Sequence, residues 1–272
     1  MAFRDRGIEI KTPDQIAGMR RAGLVVGETL ELLRSSVRAG ISTGELDAIA
    51  EDNIRSSGAT PSFKGYHGFP GSICASVNDE VVHGIPGERV LAEGDVISID
   101  CGAIVDGWHG DAAITVAVGP VPDEVTELMR VTEEAMWRGI AAARLGGRVT
   151  DISHAVESHV RAQGAYGILE DYVGHGIGSA MHQPPNVPNF GRPGRGPKLV
   201  EGLALAVEPM ITLGGKDTVV LDDDWTVITG DGSWAAHFEH TFTLTPRGAW
   251  VLTALDGGEA ALGRLGVPFG GS

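Results

Sequence analysis

Residues 96–115, VISIDCGAIVDGWHGDAAIT, predict an antiparallel β-hairpin and thereby set the fold class of the chain. Apolar and β-branched residues dominate both arms, as is typical of buried strands. Between the arms lies Asp106-Gly107, a dipeptide that is the strongest short-range signal for a two-residue hairpin turn. Val105 and Trp108 would flank this turn, and this placement determines the register of the two strands.

Two aspartates lie on one face of this hairpin. In the predicted register Asp111 is opposite Gly102, and Asp100 is two residues further along the same face. Their Cβ atoms would be about 7 Å apart, with no side chain between them. A buried carboxylate costs free energy unless hydrogen bonds, a proton or a cation compensate it, so the hairpin predicts a pocket for such a partner. The alternate positions form an apolar face of Ile97, Ile99 and Cys101.

The order of elements around the hairpin is repeated along the chain. Two segments of helical periodicity precede a set of strand-like stretches, and the same order then follows again. Thr12 and Pro13 are typical of a helix start, as N-cap and first helical residue. The stretch LDAIAEDNIRSSGA aligns with ISHAVESHVRAQGA at an offset of 106 residues. The predicted helices lie within 11–40, 43–59, 121–147 and 149–165, and the strands within 60–118 and 172–253.

We therefore expect one α+β domain over residues 1–272, with an internal repeat of about 12–118 and 121–253. Each half would place two helices over its own antiparallel strands, giving a pseudo-two-fold axis. The stretches VISID and LALAVE, whose terminal carboxylates are 108 positions apart, would occupy equivalent places. The Pro/Gly-rich segment 183–198 is expected to be a surface loop at the rim of a site, and the tail 256–272 to be frayed at its end.

The composition argues against several function classes. A formal net charge of −15 without a basic stripe argues against a nucleic-acid partner. The two cysteines, Cys74 and Cys101, form neither a CxxC pair nor a disulfide framework. No run reaches the roughly 18 apolar residues of a membrane helix, and MAFRDRGIEI lacks the apolar centre of a signal peptide. We expect a cytoplasmic protein without a membrane segment.

Further carboxylates and histidines occur in apolar or glycine-rich contexts. GHGIGSAMH contains His175 and His182, LALAVEPM contains Glu208, and HFEHTFTL contains Glu239. Singly, each has a simpler interpretation: an acid near a turn, a hydrogen-bonded loop histidine, or the end of a strand. Four carboxylates and one imidazole together suit Mn²⁺, Fe²⁺, Co²⁺ or Zn²⁺ and leave room for two ions. The predicted metal ligands are Asp100, Asp111, His175, Glu208 and Glu239.

Several stretches around these residues resemble the type I methionine aminopeptidases. They are TPDQIAGMRRAG, GYHGFPGSICASVNDEVVHGIP, EGDVISIDCG, GWHGDAA, GHGIGSAMH, VEPM and FEHT, and they span nearly the whole chain. The resemblance implies the pita-bread fold, in agreement with the internal repeat. It also implies the same ligand set, with Asp111 and Glu239 bridging two ions, Asp100 on one ion, and His175 and Glu208 on the other. Because no zinc-finger or PxxP segment precedes the first helix, a short bacterial form is expected.

The resemblance implies an activity as well. A metal-activated hydroxide would attack the carbonyl of an N-terminal methionine. The ions, divalent Co, Mn, Fe, Zn or Ni, would also hold the free α-amine. His182 would stabilise the developing oxyanion, and His83 would contact the amide across the scissile bond. Glu208 would shuttle the proton.

A methionine pocket is also implied, in which a thioether makes dispersion and sulfur–aromatic contacts. From the residues alone, its members are ordinary core. Met181 stands where an aromatic residue is common, HQPP replaces HEEP, and His237 replaces a commoner glutamine, so the preference at the second and third substrate residues stays open. The pocket residues are Tyr66, Phe69, Cys74, Met181 and Trp225, with Phe63 nearby.

Two alternatives remain open. A prolidase or Xaa-Pro aminopeptidase shares the fold and the ligand set, but it usually carries a large additional N-terminal domain for which this chain has no room. A non-catalytic binding module on the same fold would be expected to have lost ligands, whereas all are present. The expected partners are nascent polypeptide N-termini with a small second residue, with a ribosome contact as a further expectation and a monomer as the expected state.

Overall fold

The computed structural model describes residues 7–271, and its four long helices match the predicted segments. The first helix begins at the predicted N-cap: the Gln15 backbone N–H donates to the Thr12 hydroxyl, and the Thr12 N–H donates to the Gln15 side chain. This capping box satisfies two backbone donors at the helix start. None of these helices combines the length and apolar character that a membrane crossing requires. The bounds are Pro13–Ser36 (α1), Thr43–Ser56 (α2), Asp123–Ala142 (α3), Val149–Gln163 (α4) and Glu259–Arg264 (α5).

The strands of the described residues form three sheets, and all their pairings within these sheets are antiparallel. In the first half they are β1 (Thr60–Pro61), β2 (Ile73–Val77), β3 (Glu80–Val82), β4 (Val96–Val105) and β5 (Trp108–Ala117). In the second half they are β6 (Gly167–Ile168), β7 (Gly174–Gly176), β8 (Gln183–Val187), β9 (Ala204–Val207), β10 (Met210–Thr212), β11 (Thr218–Val220), β12 (Val227–Thr229), β13 (Ala235–His237), β14 (Glu239–Thr245) and β15 (Gly248–Val251).

The largest sheet joins the two halves of the chain. Its main path is β1-β4-β5-β14-β9-β7-β8, with β2 on β4 and β15 on β14. The smaller sheets have the orders β13-β10-β6 and β11-β12-β3. Strands β5 and β14, one from each half, pair directly at the centre of the large sheet. The internal duplication itself stays a prediction.

The hairpin predicted at residues 96–115 is present with the predicted register. Strands β4 and β5 pair so that Gly102 is opposite Asp111. The turn residues Asp106 and Gly107 have φ of 50° and 81°. Positive φ at both turn positions is the type I′ geometry, whose twist matches that of the flanking strands.

The helices pack as two pairs, α1 with α2 and α3 with α4, on the strands. Helix α1 covers β4 and β5, and α3 contacts β9, β13 and β14. The predicted apolar face of β4 belongs to this layer, because Ile97, Ile99 and Cys101 are fully buried in one core cluster with residues of both helix pairs. Both cysteines are free thiols, as expected. The polar face of β4 and β5 is therefore the one turned away from the helices.

The segment 183–198 is not a loop throughout, which corrects the expectation. Its first residues form β8, which pairs with β7 at the end of the large sheet. Proline is tolerated there because one side of an edge strand needs no hydrogen-bond donor. Only the following residues, 188–197, lack helix and strand.

The C-terminal tail is packed as far as Gly271, which corrects the expectation of a frayed end. It forms α5, whose Leu262 is fully buried, and the Gly270 N–H donates to the Ala249 carbonyl at 2.7 Å. A Cβ at Gly270 would collide with the backbone of Gly248. Glycine here allows close packing of two backbone segments. Residues 1–6, which include most of MAFRDRGIEI, and Ser272 lie outside the described residues.

Candidate active site

The predicted metal ligands come from five adjacent strands of the large sheet. Asp100 lies on β4, Asp111 on β5 and His175 on β7, while Glu239 begins β14 and Glu208 directly follows β9. All five line one cavity of about 260 Å³. The order of the strands in the sheet thus brings together residues that are far apart in sequence. We call the four carboxylates and His175 the acidic floor of the cavity.

Strand register determines how the carboxylates meet. Ala113 is paired with Asp100 on one side and with Glu239 on the other. Paired residues of antiparallel strands point to the same face, so these three form a row across the sheet. Asp111, two residues before Ala113, projects from the same face. The small side chain at the centre of the row leaves space between the carboxylates.

Burial of these carboxylates raises their pKa values. It raises the pKa of Asp100 to about 7, although a hydrogen bond with Asp111 acts in the opposite direction. Burial, and then the neighbouring carboxylates, hold the pKa of Asp111, Glu208 and Glu239 well above the ordinary range. The floor therefore needs protons or cations to compensate its charge.

Unpaired oxygen atoms indicate that the floor fits cations. One oxygen each of Asp100, Asp111 and Glu239 is buried with no hydrogen-bond partner among the described residues. Such atoms are rare in folded proteins because each lost its hydration without gaining a partner. Divalent ions bound by carboxylate oxygens would give these atoms partners.

The orientation of His175 fits the same interpretation. Its Nδ1 lies 3.0 Å from the Gly176 carbonyl oxygen, to which it donates, so the lone pair of Nε2 faces the carboxylates. Nε2 is 3.3 Å from Glu208 Oε1. Burial, and then the His182 ring, lower the pKa of His175 to about 3, so this imidazole is neutral at physiological pH. A neutral imidazole with an inward lone pair is the form that binds metal ions.

Two groups of side chains are compact enough to hold an ion, and they share Glu239. Asp111, His175 and Glu239 offer ligand atoms within 4.8 Å of one another, and so do Glu208, His237 and Glu239. Sequence reasoning identified His237 as a departure from the family pattern but did not place it at the floor. It lies two residues before Glu239, so the alternation of an extended chain could have assigned both to one face.

His83, a predicted substrate contact, lines the cavity in an uncommon backbone conformation. Its φ of 60° is in the left-handed region, where residues other than glycine are infrequent and often functional. Its ring centroid lies 5.8 Å from that of Tyr172 and 6.2 Å from that of Trp225, edge-on to both. Burial, and then His182, lower the pKa of His83 to about 4. His83 is therefore neutral at physiological pH.

His182, the second predicted substrate contact, is oriented by a tyrosine. Its Nδ1 lies 2.9 Å from the Tyr66 hydroxyl, and its ring centroid lies 4.4 Å from that of His175. Burial, and then Asp111, raise the pKa of Tyr66, which keeps its hydroxyl protonated. If the hydroxyl donates to Nδ1, the imidazole proton resides on Nε2. With its proton on Nε2, His182 has an N–H donor for a ligand in the cavity.

The predicted methionine-pocket residues form one apolar cluster that lines the cavity. Phe69 and Trp225 meet edge-on with ring centroids 5.1 Å apart. The cluster is separate from the main core and consists of Phe63, Phe69, Cys74 and Met181, with Tyr66, Ile85 and Trp225 packed against it. We call it the apolar wall. Sequence reasoning did not identify five further lining residues, Val82, Asp171, Tyr172, Val173 and Met210, because they follow from the cavity shape alone.

The chain is similar to known proteins both in sequence and in structure. The family model described as metallopeptidase family M24 matches residues 17–246. A methionine aminopeptidase of Clostridium acetobutylicum is 52% identical over 247 residues, which are 90% of this chain and 98% of that relative. The crystal structure of a methionine aminopeptidase from Thermotoga maritima superposes with a TM-score of 0.89 at 42% identity, covering 91% of this chain and 99% of that one.

A more distant neighbour shares the fold alone. A prolidase from Pyrococcus furiosus has a TM-score of 0.72 at 22% identity and matches 90% of this chain but 65% of its own length. The neighbours together confirm the predicted pita-bread fold.

Proposed function

The chain belongs to the methionine aminopeptidases of metallopeptidase family M24, and on this premise we propose that it removes N-terminal methionine from polypeptides. The observation that carries the proposal is one cavity in which the acidic floor and the apolar wall meet. The floor accounts for hydrolysis with bound metal, and the wall accounts for selection of an unbranched apolar side chain.

We assign two divalent ions to the floor, from among Co, Mn, Fe, Zn and Ni. When bound, such ions supply Lewis acidity, which lowers the pKa of water and polarises a carbonyl group. Glu239 offers a ligand atom within 4.8 Å of those of Asp111 and His175, and one within 4.8 Å of that of Glu208, which supports a pair of ions. The residues proposed to hold them are Asp100, Asp111, His175, Glu208 and Glu239.

Three side chains are assigned to the reaction itself. His182 would donate its Nε2 proton to the oxygen of the scissile carbonyl as negative charge develops there. Glu208 would accept a proton from the attacking water and deliver it to the leaving amine. His83 would hydrogen-bond the amide beyond the scissile bond.

The substrate is proposed to lie with its side chain against the apolar wall. A methionine thioether there would contact the sulfur of Met181 and the rings of Phe69 and Trp225. The α-amine would then lie at the floor, which makes a free N-terminus a requirement. We further propose nascent chains with a small second residue as substrates, and a monomer that acts in the cytoplasm; the ribosome contact stays a prediction.

Peptide cleavage by metal-depleted protein tests the proposal. Chelated protein is incubated with Met-Ala-Ser, with N-acetylated Met-Ala-Ser and with Ala-Pro-Ser, and each candidate ion is added back separately. We expect methionine release from the first peptide alone, and only after an ion is restored. Cleavage confined to Ala-Pro-Ser would favour a prolidase-type enzyme. Tight metal binding without cleavage of any peptide would favour a binding module.

A further inference from the structure

His237 lies at the acidic floor but has no place in the ligand set proposed above. Its backbone is held firmly: its N–H donates to the Thr115 hydroxyl at 2.9 Å, and this hydroxyl donates to the His237 carbonyl at 2.7 Å. It is also paired with Met210, which lines the cavity. The side chain is 1% exposed. The ring position is thus determined by a fixed strand.

The imidazole nitrogen directed at the floor is unpaired. Nε2 of His237 is buried without a hydrogen-bond partner among the described residues. Its nearest acidic atom is Glu208 Oε2 at 3.9 Å, which is too long for a hydrogen bond. A histidine with only a structural role would be expected to use this nitrogen, since a buried unpaired polar atom is costly.

Glu208 lies between two imidazoles. Its Oε1 is 3.3 Å from His175 Nε2, and its Oε2 is 3.9 Å from His237 Nε2. His237 also offers a ligand atom within 4.8 Å of those of Glu208 and Glu239. Separations within this limit between the potential ligand atoms are compatible with one ion contacting all three.

We propose that His237 is a sixth metal ligand, which supplies a second imidazole nitrogen to the floor beside Oε2 of Glu208. The proposal rests on the metal dependence of the proposed function. A second nitrogen changes the chemistry of the site, because imidazole suits Zn²⁺, Fe²⁺ and Ni²⁺, whereas carboxylate suits Mn²⁺ and Mg²⁺. His237 therefore biases the floor towards nitrogen-preferring ions.

Nitrogen NMR on the full-length protein tests the ligation directly. Chelated protein with ¹⁵N-labelled histidine is titrated with Zn²⁺, and the ring nitrogens of His175 and His237 are assigned from single-substitution spectra. We expect both Nε2 resonances to move to metal-bound positions. Movement of the His175 resonance alone would overturn the inference and leave the proposed function intact. Movement of neither would overturn both.

Affinity measurements on variants provide an independent readout. His237→Gln keeps a polar side chain of similar size without the imidazole, and His154→Gln, on the exposed face of α4, is the matched control. We expect Zn²⁺ affinity to fall about tenfold to hundredfold in His237→Gln, Mn²⁺ affinity to fall less, and the control to match the native protein. Equal losses for both ions, or no loss, would contradict ligation by His237.

Discussion

The acidic floor and the apolar wall border one cavity but are built in different ways. Each floor residue lies on, or directly after, a strand of one continuous sheet. The wall combines residues from the segment around Phe63–Phe69, from β2, from the loop at Met181 and from the turn before β12. Sheet residues are positioned by backbone pairing on both sides, whereas the wall depends on side chains packing against one another.

The difference in construction indicates that the floor and the wall have different functions. Ion binding requires ligand atoms at defined separations, which adjacent strands provide through fixed register. Binding of a flexible thioether tolerates small shifts of its neighbours, so loops suffice for the wall. We therefore expect floor substitutions to abolish the reaction and wall substitutions to change substrate affinity.

The largest expected effect is that of Asp111→Asn in the floor. Loss of the negative charge should lower metal affinity and methionine release by more than about 100-fold, since removal of an outer partner of a ligand already costs 10–100-fold. Calorimetry with Co²⁺ and cleavage of Met-Ala-Ser measure this. Asp106→Asn, in the exposed turn of the same hairpin, is the matched control, since asparagine tolerates its positive φ. Equal behaviour of both variants would refute the assignment of the floor.

His182 contacts His175 of the floor and Tyr66 of the wall. We expect His182→Ala to lower kcat for methionine release by about 100-fold and to leave metal affinity unchanged. The reason is the loss of one donor to the developing oxyanion. Tyr66→Phe removes only the hydrogen bond that orients this ring, and should have a smaller effect in the same direction. A kcat near the native value in His182→Ala would exclude His182 from the reaction.

Gly102→Ala tests whether floor and wall are mechanically connected. A Cβ at Gly102 would lie 2.8 Å from Phe63 Cε1 and from Ser62 Cβ, so the Phe63 ring of the wall must move. We expect a raised KM for Met-Ala-Ser and a loss of about 1–3 kcal/mol in unfolding free energy. Gly263→Ala, where an added Cβ meets nothing within 4 Å, is the control; it should keep the native KM and lose no stability. An unchanged KM would show that the Phe63 ring can move without altering substrate binding, and thus that floor and wall are not mechanically connected.

The smallest expected effect is a pH dependence of stability at His83. Burial lowers its pKa to about 4 in the folded chain, against about 6.5 in the unfolded chain. Between these two pH values only the unfolded chain binds a proton at His83. The contribution of the neutral His83 to the unfolding free energy is therefore fully present above pH 6.5 and is lost as pH falls towards 4.

Urea denaturation of metal-depleted native protein and His83→Gln at pH 7 and pH 5 measures this difference. The advantage in unfolding free energy that the native protein has over the variant should shrink by about 2 kcal/mol between pH 7 and pH 5. An advantage that stays constant or grows on acidification would show that His83 is not held neutral by its surroundings.

Prediction from sequence was most successful where it relied on local geometry. The register of β4 with β5 follows from the Asp106-Gly107 turn, and the sharing of one face by Asp100 and Asp111 follows from strand alternation. The segment 183–198 and the C-terminal tail were predicted wrongly. Their composition of proline and glycine is typical of loops, but edge-strand position and close backbone packing gave them structure.

The sequence by itself determined the start of the first helix, the central hairpin and the set of candidate metal-ligating side chains, because capping, turn type and alternation act over a few residues. Only the tertiary structure decided the order of strands β4-β5-β14-β9-β7, which brings those side chains to one floor. It likewise decided the Tyr66 contact that orients His182 and the unpaired nitrogen of His237 beside Glu208. These features depend on contacts between distant parts of the chain, which packing of the whole sheet against its helices establishes and local sequence does not encode.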